Sequence, residues 1–136
     1  MNASGAQAPS GAATILAIDL GTQSLRVTAV TSDGDVVWRW SRPVSTHTAG
    51  DVSEQDPADW AALLDTALAE AGRAGLRPDA VAAAGPLAGW VPLDGQGGAL
   101  GPAVMYFDGR SAADLPAVAA RLADRDDVPR PTVADP

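Results

Sequence analysis

Apolar and polar positions change their spacing several times along the chain, and each change marks a predicted element. Residues Thr14–Leu20 (TILAIDL) form a short apolar run with a β-branched start, broken only by Asp19. After Gly21-Thr22-Gln23-Ser24, alternation resumes over residues 25–30 (LRVTAV). The cluster Ser32-Asp33-Gly34-Asp35 reads as a turn, and residues 36–40 (VVWRW) again suit a strand. Three strands joined by short turns make a β-meander, the antiparallel start of a sheet. Residues 43–55 show no period and read as a loop.

The period then lengthens. Asp56-Pro57 predicts a helix start, with Asp56 as N-cap and Pro57 at the first helical position. Trp60, Leu63, Leu64, Ala67, Leu68 and Ala71 recur at steps of three and four and make one apolar face. Gly72 and Gly75 can stop the helix, and Pro78 prevents its continuation. Residues 81–85 (VAAAG) read as a short buried strand or a helix end. Residues 90–93 leading into Asp94-Gly95-Gln96-Gly97-Gly98 suggest a hairpin, and residues 103–106 another short strand. A second helix is expected over residues 111–123, with Ser111 as cap and Asp114 at the third helical position, a shortened capping box that Pro116 weakens. Residues 1–13 and 124–136 read as unpacked tails around one domain at 14–123. These elements predict an α/β or α+β domain.

Composition narrows the chemistry. The net charge is −8, all nine cationic side chains are Arg, and there is no Lys. That excludes a P-loop lysine, a Schiff-base lysine and an extended basic surface for nucleic acid. The absence of cysteine excludes disulfide scaffolds, thiolate zinc sites and cysteine nucleophiles, and the single His47 cannot build a multi-His site. Alanine supplies 29 of the apolar residues, so the expected core is thin. No apolar run approaches the roughly 18–20 residues of a spanning helix and no basic export signal opens the chain, so a cytoplasmic protein is expected.

The stretch Ile18-Asp19-Leu20-Gly21-Thr22-Gln23-Ser24 carries the most chemistry. A carboxylate near the end of a buried strand needs a charged partner or a metal. Gly21 lets the backbone approach a ligand, and converging amides in such a turn make an anion nest beside a carboxylate able to hold Mg²⁺ through water. An ordinary hairpin with Asp19 capping its turn is the plain alternative.

Residues 17–26 (AIDLGTQSLR) resemble the first phosphate motif of the FGGY family of carbohydrate kinases, here of xylulokinase-like type. Those are sugar and polyol kinases of the actin-like, ribonuclease-H-like ATPase superfamily. Residues 50–60 (GDVSEQDPADW) are similar to the family's Glu-x-Asp-Pro-x-x-Trp helix start. Residues 84–94 (AGPLAGWVPLD) stand where the family has a sugar-contacting segment, and residues 100–110 (LGPAVMYFDGR) resemble its Pro-Ala-Ile-Leu-Trp-x-Asp-x-Arg block. The resemblance implies an incomplete ribonuclease-H-like α/β domain with an N-terminal three-strand meander, using ATP and Mg²⁺ on a sugar or polyol. It implies that Asp19 positions Mg²⁺ through water and that Gly21, Thr22, Gln23 and Ser24 cradle the β- and γ-phosphates. Leu87, Ala88, Tyr106 and Asp108 fall in the sugar-binding segments: Asp108 would accept sugar hydroxyls, Tyr106 would replace a common Trp as a pocket wall, and Arg110 would orient Asp108 or pair locally.

Two features limit that reading. Many members place hydrogen-bonding side chains where this chain has Leu87-Ala88, so specificity for xylulose or glycerol does not follow. Members also run to several times this length, and their catalytic aspartate, second phosphate motif and adenosine pocket correspond to nothing here. The expectation is therefore an N-terminal kinase fragment without turnover of its own, whose exposed sheet edges could associate; no nucleic acid or membrane partner is expected. The rival readings are a non-catalytic actin-like binding module or degenerate kinase fragment and, less compatible with the charge and the Gly-Thr-Gln-Ser turn, a ribonuclease-H-type nuclease.

Overall fold

A computed structural model describes residues 12–123. The chain opens with the meander: β1 (Thr14–Leu20), β2 (Ser24–Thr31) and β3 (Val36–Pro43) pair antiparallel in sequence order. The alternation that predicted these strands is the alternation of burial. Leu25, Val27, Ala29 and Thr31 of β2 are buried on one face, and Arg26 points to the other. Trp38 and Trp40 of β3 join the buried face, with a register shift at Ala29/Val30 where β3 accommodates an extra residue.

Residues 43–55 are not the loop that their lack of period suggests. They contain β4 (His47–Ala49) and β5 (Val52–Gln55), which pair antiparallel with each other. Asp56 then caps α1 (Pro57–Arg73), its carboxylate accepting the Ala58 N–H at 2.8 Å, with Pro57 in the first turn. Trp60, Leu63, Leu64, Ala67 and Ala71 pack onto the sheet as predicted, while Leu68 stays exposed at the margin. The helix ends in a Schellman arrangement. Gly75 takes φ +80°, its N–H bonds to Gly72 C=O, and the Leu76 N–H bonds to Ala71 C=O at 3.1 Å.

The chain returns as β6 (Ala80–Ala84), parallel to β1, completing a four-stranded sheet of order β3-β2-β1-β6. Of the predicted residues 81–85, all but Gly85 are therefore strand, though not buried strand. Val81 is 61% exposed, because α1 lies over β2 and β3 and β6 has no outer neighbour among the described residues. The hairpin at 94–98 is present: Leu93 and Ala99 bridge, and the Asp94 carboxylate accepts the Gln96 and Gly98 N–H groups, which holds its pKa below the ordinary carboxylate value.

The next strand, β7 (Ala103–Val104), is shorter than predicted and joins β5 in a second sheet of order β4-β5-β7. The predicted helix over 111–123 is divided into a 3₁₀ segment, Arg110–Asp114, followed by α2 (Leu115–Leu122). Ser111 does not cap it. Pro116 has no N–H to bond back to Ala112, so the helix restarts at Leu115, and the carboxylate that turns the chain beforehand is Asp108, bonded to the Arg110 N–H. The tails predicted at 1–13 and 124–136 lie outside the described residues, apart from Ala12 and Ala13. No described helix is long and apolar enough to cross a membrane.

Candidate functional site

Asp19 stands one residue before the end of β1, directly opposite Arg26 in register, and the two form an ion pair at 3.0 Å. The carboxylate thus has the charged partner its position demands, and both side chains remain half exposed. Gly21 follows with an ordinary negative-φ backbone, so left-handed freedom is not why glycine is required. A Cβ there would lie 3.3 Å from the Ser24 carbonyl oxygen, which accepts the Gly21 N–H at 2.9 Å. The two-residue tip, Thr22-Gln23, turns its carbonyls toward the protein. Thr22 C=O accepts Gln55 Nε2 at 2.9 Å and Thr46 Oγ1 at 3.3 Å, and Gln23 C=O accepts the Val44 N–H at 3.0 Å. The amides of Thr22 and Gln23 make no hydrogen bond among the described residues.

A second group gathers where β7 meets the segment after β6. Trp90 exchanges two backbone hydrogen bonds with Val104, at 3.1 and 2.9 Å. That bridge carries Ala88 to the wall of an open cleft of about 660 Å³ shared with Trp90, Tyr106, Asp108 and Arg110. Ala88 is held at φ +58°, the left-handed region disfavoured for a residue with a Cβ. Leu87 is 88% exposed and does not line the cleft. Tyr106 is exposed, edge-on to Phe107 with ring centroids 4.9 Å apart.

Asp108 is the most constrained side chain of this group. Its carboxylate accepts the Ser53 N–H at 2.7 Å, the Arg110 N–H at 3.1 Å and the Arg110 guanidinium at 2.9 Å, and only 5% of the side chain is accessible. The Arg110 guanidinium first, and the Ser53 N–H second, hold its pKa down at about 2. Arg110 also reaches Glu54 at 2.7 Å, and the two carboxylates keep the guanidinium protonated more firmly than usual.

The predicted residues therefore fall into two separate groups. Asp19, Gly21, Thr22, Gln23 and Ser24 surround the β1–β2 turn, and Ala88, Tyr106 and Asp108 share the cleft. The donor set at the turn is one carboxylate with nearby amides and hydroxyls, and no group of three or more His, Cys, Asp or Glu gathers among the described residues. That set fits Mg²⁺ held through water and phosphate, and not a metal caged by protein ligands.

Comparison with known proteins decides the family. A model of the N-terminal domain of the FGGY family of carbohydrate kinases matches residues 14–125. The chain belongs to the FGGY family. It is 36% identical over 99 residues to xylulose kinase from Streptomyces rubiginosus, covering 72% of this chain and 20% of that protein. Against xylulose kinase from Escherichia coli K12 the identity is 32% over 110 residues, covering 79% and 23%. The crystal structure of xylulose kinase from Rhodospirillum rubrum superposes with a TM-score of 0.69 at 29% identity, over 79% of this chain and 23% of that one. The chain thus spans about a fifth of the length of these FGGY relatives.

Sequence reasoning missed the residues that hold the candidate site of this FGGY-family chain in place. Gln55 and Thr46 tether the turn, and Ser53 tethers Asp108. Trp60, read as a helix-face residue, also donates its indole N–H to Gln55 Oε1 at 2.9 Å. The available signal was Gln55 within the Glu-x-Asp-Pro-x-x-Trp resemblance, a polar residue between two motif positions.

Proposed function

We propose that this chain supplies the phosphate-binding turn and one wall of the sugar pocket of an ATP-dependent carbohydrate kinase, within an incomplete ribonuclease-H-like domain at residues 14–123. The observation that carries the reading is the β1–β2 tip, where the amides of Thr22 and Gln23, three and four residues after Asp19, have no acceptor among the described residues. Backbone amides at such a tip donate to phosphate oxygens. Asp19 would hold Mg²⁺ through water, and the ion, when bound, would neutralise phosphate charge. Thr22, Gln23 and Ser24 would cradle the β- and γ-phosphates, with Gly21 allowing the close approach.

In the cleft, Tyr106 offers a face to the C–H side of a sugar ring, and Ala88 offers only shape. Asp108 accepts a sugar hydroxyl in this reading by exchanging part of its Arg110 contact, while Glu54 retains the guanidinium. Similarity to xylulose kinases makes a ketopentose the first substrate to try. Leu87 and Ala88 contribute no side-chain hydrogen bond, so discrimination among sugars must come from other groups. None of the described carboxylates has the role of general base in this reading, so the 136 residues alone do not turn over. In this reading the protein works in the cytoplasm, where ATP is at hand. A nuclease reading gains no support from Asp19, whose close partner is a cation and not a second carboxylate.

The test is an amide-resolved titration of the ¹⁵N-labelled chain, with a phosphate-transfer assay run in parallel. Mg-ATP is expected to perturb residues 21–24, and a ketopentose to perturb Ala88, Tyr106 and Asp108. Mg-ATP signals confined elsewhere overturn the phosphate assignment, and sugar phosphate formed above a protein-free blank overturns the absence of turnover.

A further inference from the structure

Gln55 lies at the end of β5, is only 2% exposed, and satisfies every polar atom of its amide. Its Oε1 accepts the Trp60 indole N–H at 2.9 Å, and its Nε2 donates to Thr22 C=O at 2.9 Å and to Thr46 Oγ1 at 2.8 Å. An indole nitrogen can only donate, so Trp60 decides which end of the amide faces it and thereby sends Nε2 toward the turn. Across a planar trans peptide, the N–H of one residue points opposite to the C=O of the residue before it. Holding Thr22 C=O inward therefore turns the Gln23 N–H outward, where it has no acceptor among the described residues. Val44 repeats the device one peptide later by donating to Gln23 C=O at 3.0 Å.

We propose that Gln55, oriented by Trp60, is a positioning residue that presents the Gln23 amide of the β1–β2 turn to a phosphate oxygen. The inference deepens the phosphate-binding reading above and rests on it for the identity of the ligand. The orientation of the peptide itself does not depend on that reading. Gln55 touches no ligand; it acts through the Thr22–Gln23 peptide. Trp60 lies beyond the turn and acts only through Gln55.

Two variants of the full 136-residue chain test this. Gln55→Met keeps the buried volume and removes all three hydrogen bonds of the amide, and Trp60→Phe removes the donor that fixes the amide together with part of the ring that packs on the core. In both, the Gln23 amide resonance is expected to move and its order parameter to fall from about 0.85 toward 0.6. Signals of α1 beyond its first turn should stay in place, which reports that the fold persists. A purely packing role for Gln55 leaves Gln23 unmoved in Trp60→Phe. If Gln23 keeps its wild-type resonance and order in either variant that folds, the proposal is overturned. Mg-ATP is then added as the ligand. Its apparent affinity at residues 21–24 is expected to fall about tenfold in both variants, the equivalent of one lost hydrogen bond. An unchanged affinity overturns the positioning role. If the apo resonances respond as expected but Mg-ATP moves nothing at the wild-type turn, peptide orientation is upheld and the phosphate-binding reading fails.

Discussion

Ala88 and Gly89 exchange the roles their side chains would suggest, and this gives a prediction whose sign is not obvious. The left-handed φ of +58° belongs to Ala88, whereas Gly89 has an ordinary φ and a carbonyl pressed against it. A left-handed conformation costs an L-residue about 1 kcal/mol at the low end of its range. Ala88→Gly removes that cost, and the extra freedom of glycine in the unfolded chain takes back about 0.5 kcal/mol. The net expectation is a gain of about 0.5 kcal/mol, equivalent to about 2–4 °C in melting temperature for a domain of this size. Gly89→Ala should act in the opposite direction. Its new Cβ would sit 3.2 Å from the Val104 carbonyl oxygen, the atom that accepts the Trp90 N–H. Neither the backbone bridge nor the carbonyl can withdraw freely, so a loss of about 1–2 kcal/mol is expected. Urea denaturation of the three proteins, followed by tryptophan fluorescence, measures both differences. An Ala88→Gly protein that is less stable than the parent refutes the reasoning.

The ion cluster at the cleft predicts a pH effect with a definite direction. The folded-state pKa of Asp108, about 2, lies below the ordinary 3.8, so its contribution to stability is fully present above about pH 4 and is lost as pH falls toward 2. A side-chain carboxyl NMR titration should find that midpoint, and Arg110→Gln should move it back toward the ordinary value; a wild-type midpoint near 4 contradicts the cluster. Val81 is exposed on β6, which has no outer neighbour among the described residues, and an apolar edge of this kind invites edge-to-edge pairing. Val81→Lys should reduce oligomers in sedimentation velocity, and unchanged association rules that edge out.

The parts of this fold that were legible share one property: apart from the threonines at the strand ends, Thr14 and Thr31, their buried positions are apolar. β2 buries Leu25, Val27 and Ala29 at a period of two, and α1 buries Ala67 and Ala71 against the same face, so hydropathy alone outlines both. β5 inverts the rule. Its buried residues are Ser53 and Gln55, and Val52 and Glu54 are the more accessible ones, so the alternation is present but written in the wrong alphabet. β4 buries none of its three residues and leaves no pattern. In β6 the run of alanines signals neither helix nor strand, and the pairing with β1 decides. The candidate site divides in the same way. Asp19 and the Gly-Thr-Gln-Ser turn are contiguous in the chain and readable. The Gln55–Thr22 bond joins residues 33 positions apart, and the Asp108–Ser53 bond spans 55, which no local spacing discloses.

That inverted strand is also what relates the two halves of the candidate site. Ser53 donates its backbone N–H to Asp108 at the cleft, and Gln55 donates its side chain to Thr22 at the turn. Two residues of extended chain separate these anchors, about 7 Å. Glu54 between them takes the Arg110 guanidinium, and β7 pairs with the same segment through Glu54 and Gln55. A shift of β5 by one residue would exchange its two faces, moving Ser53 and Gln55 off their partners together. The polar residues that hide this strand from hydropathy are therefore the ones that fix its register. With that register fixed, one short strand sets the spacing between the β1–β2 turn on the larger sheet and the Asp108 cleft beside the smaller one.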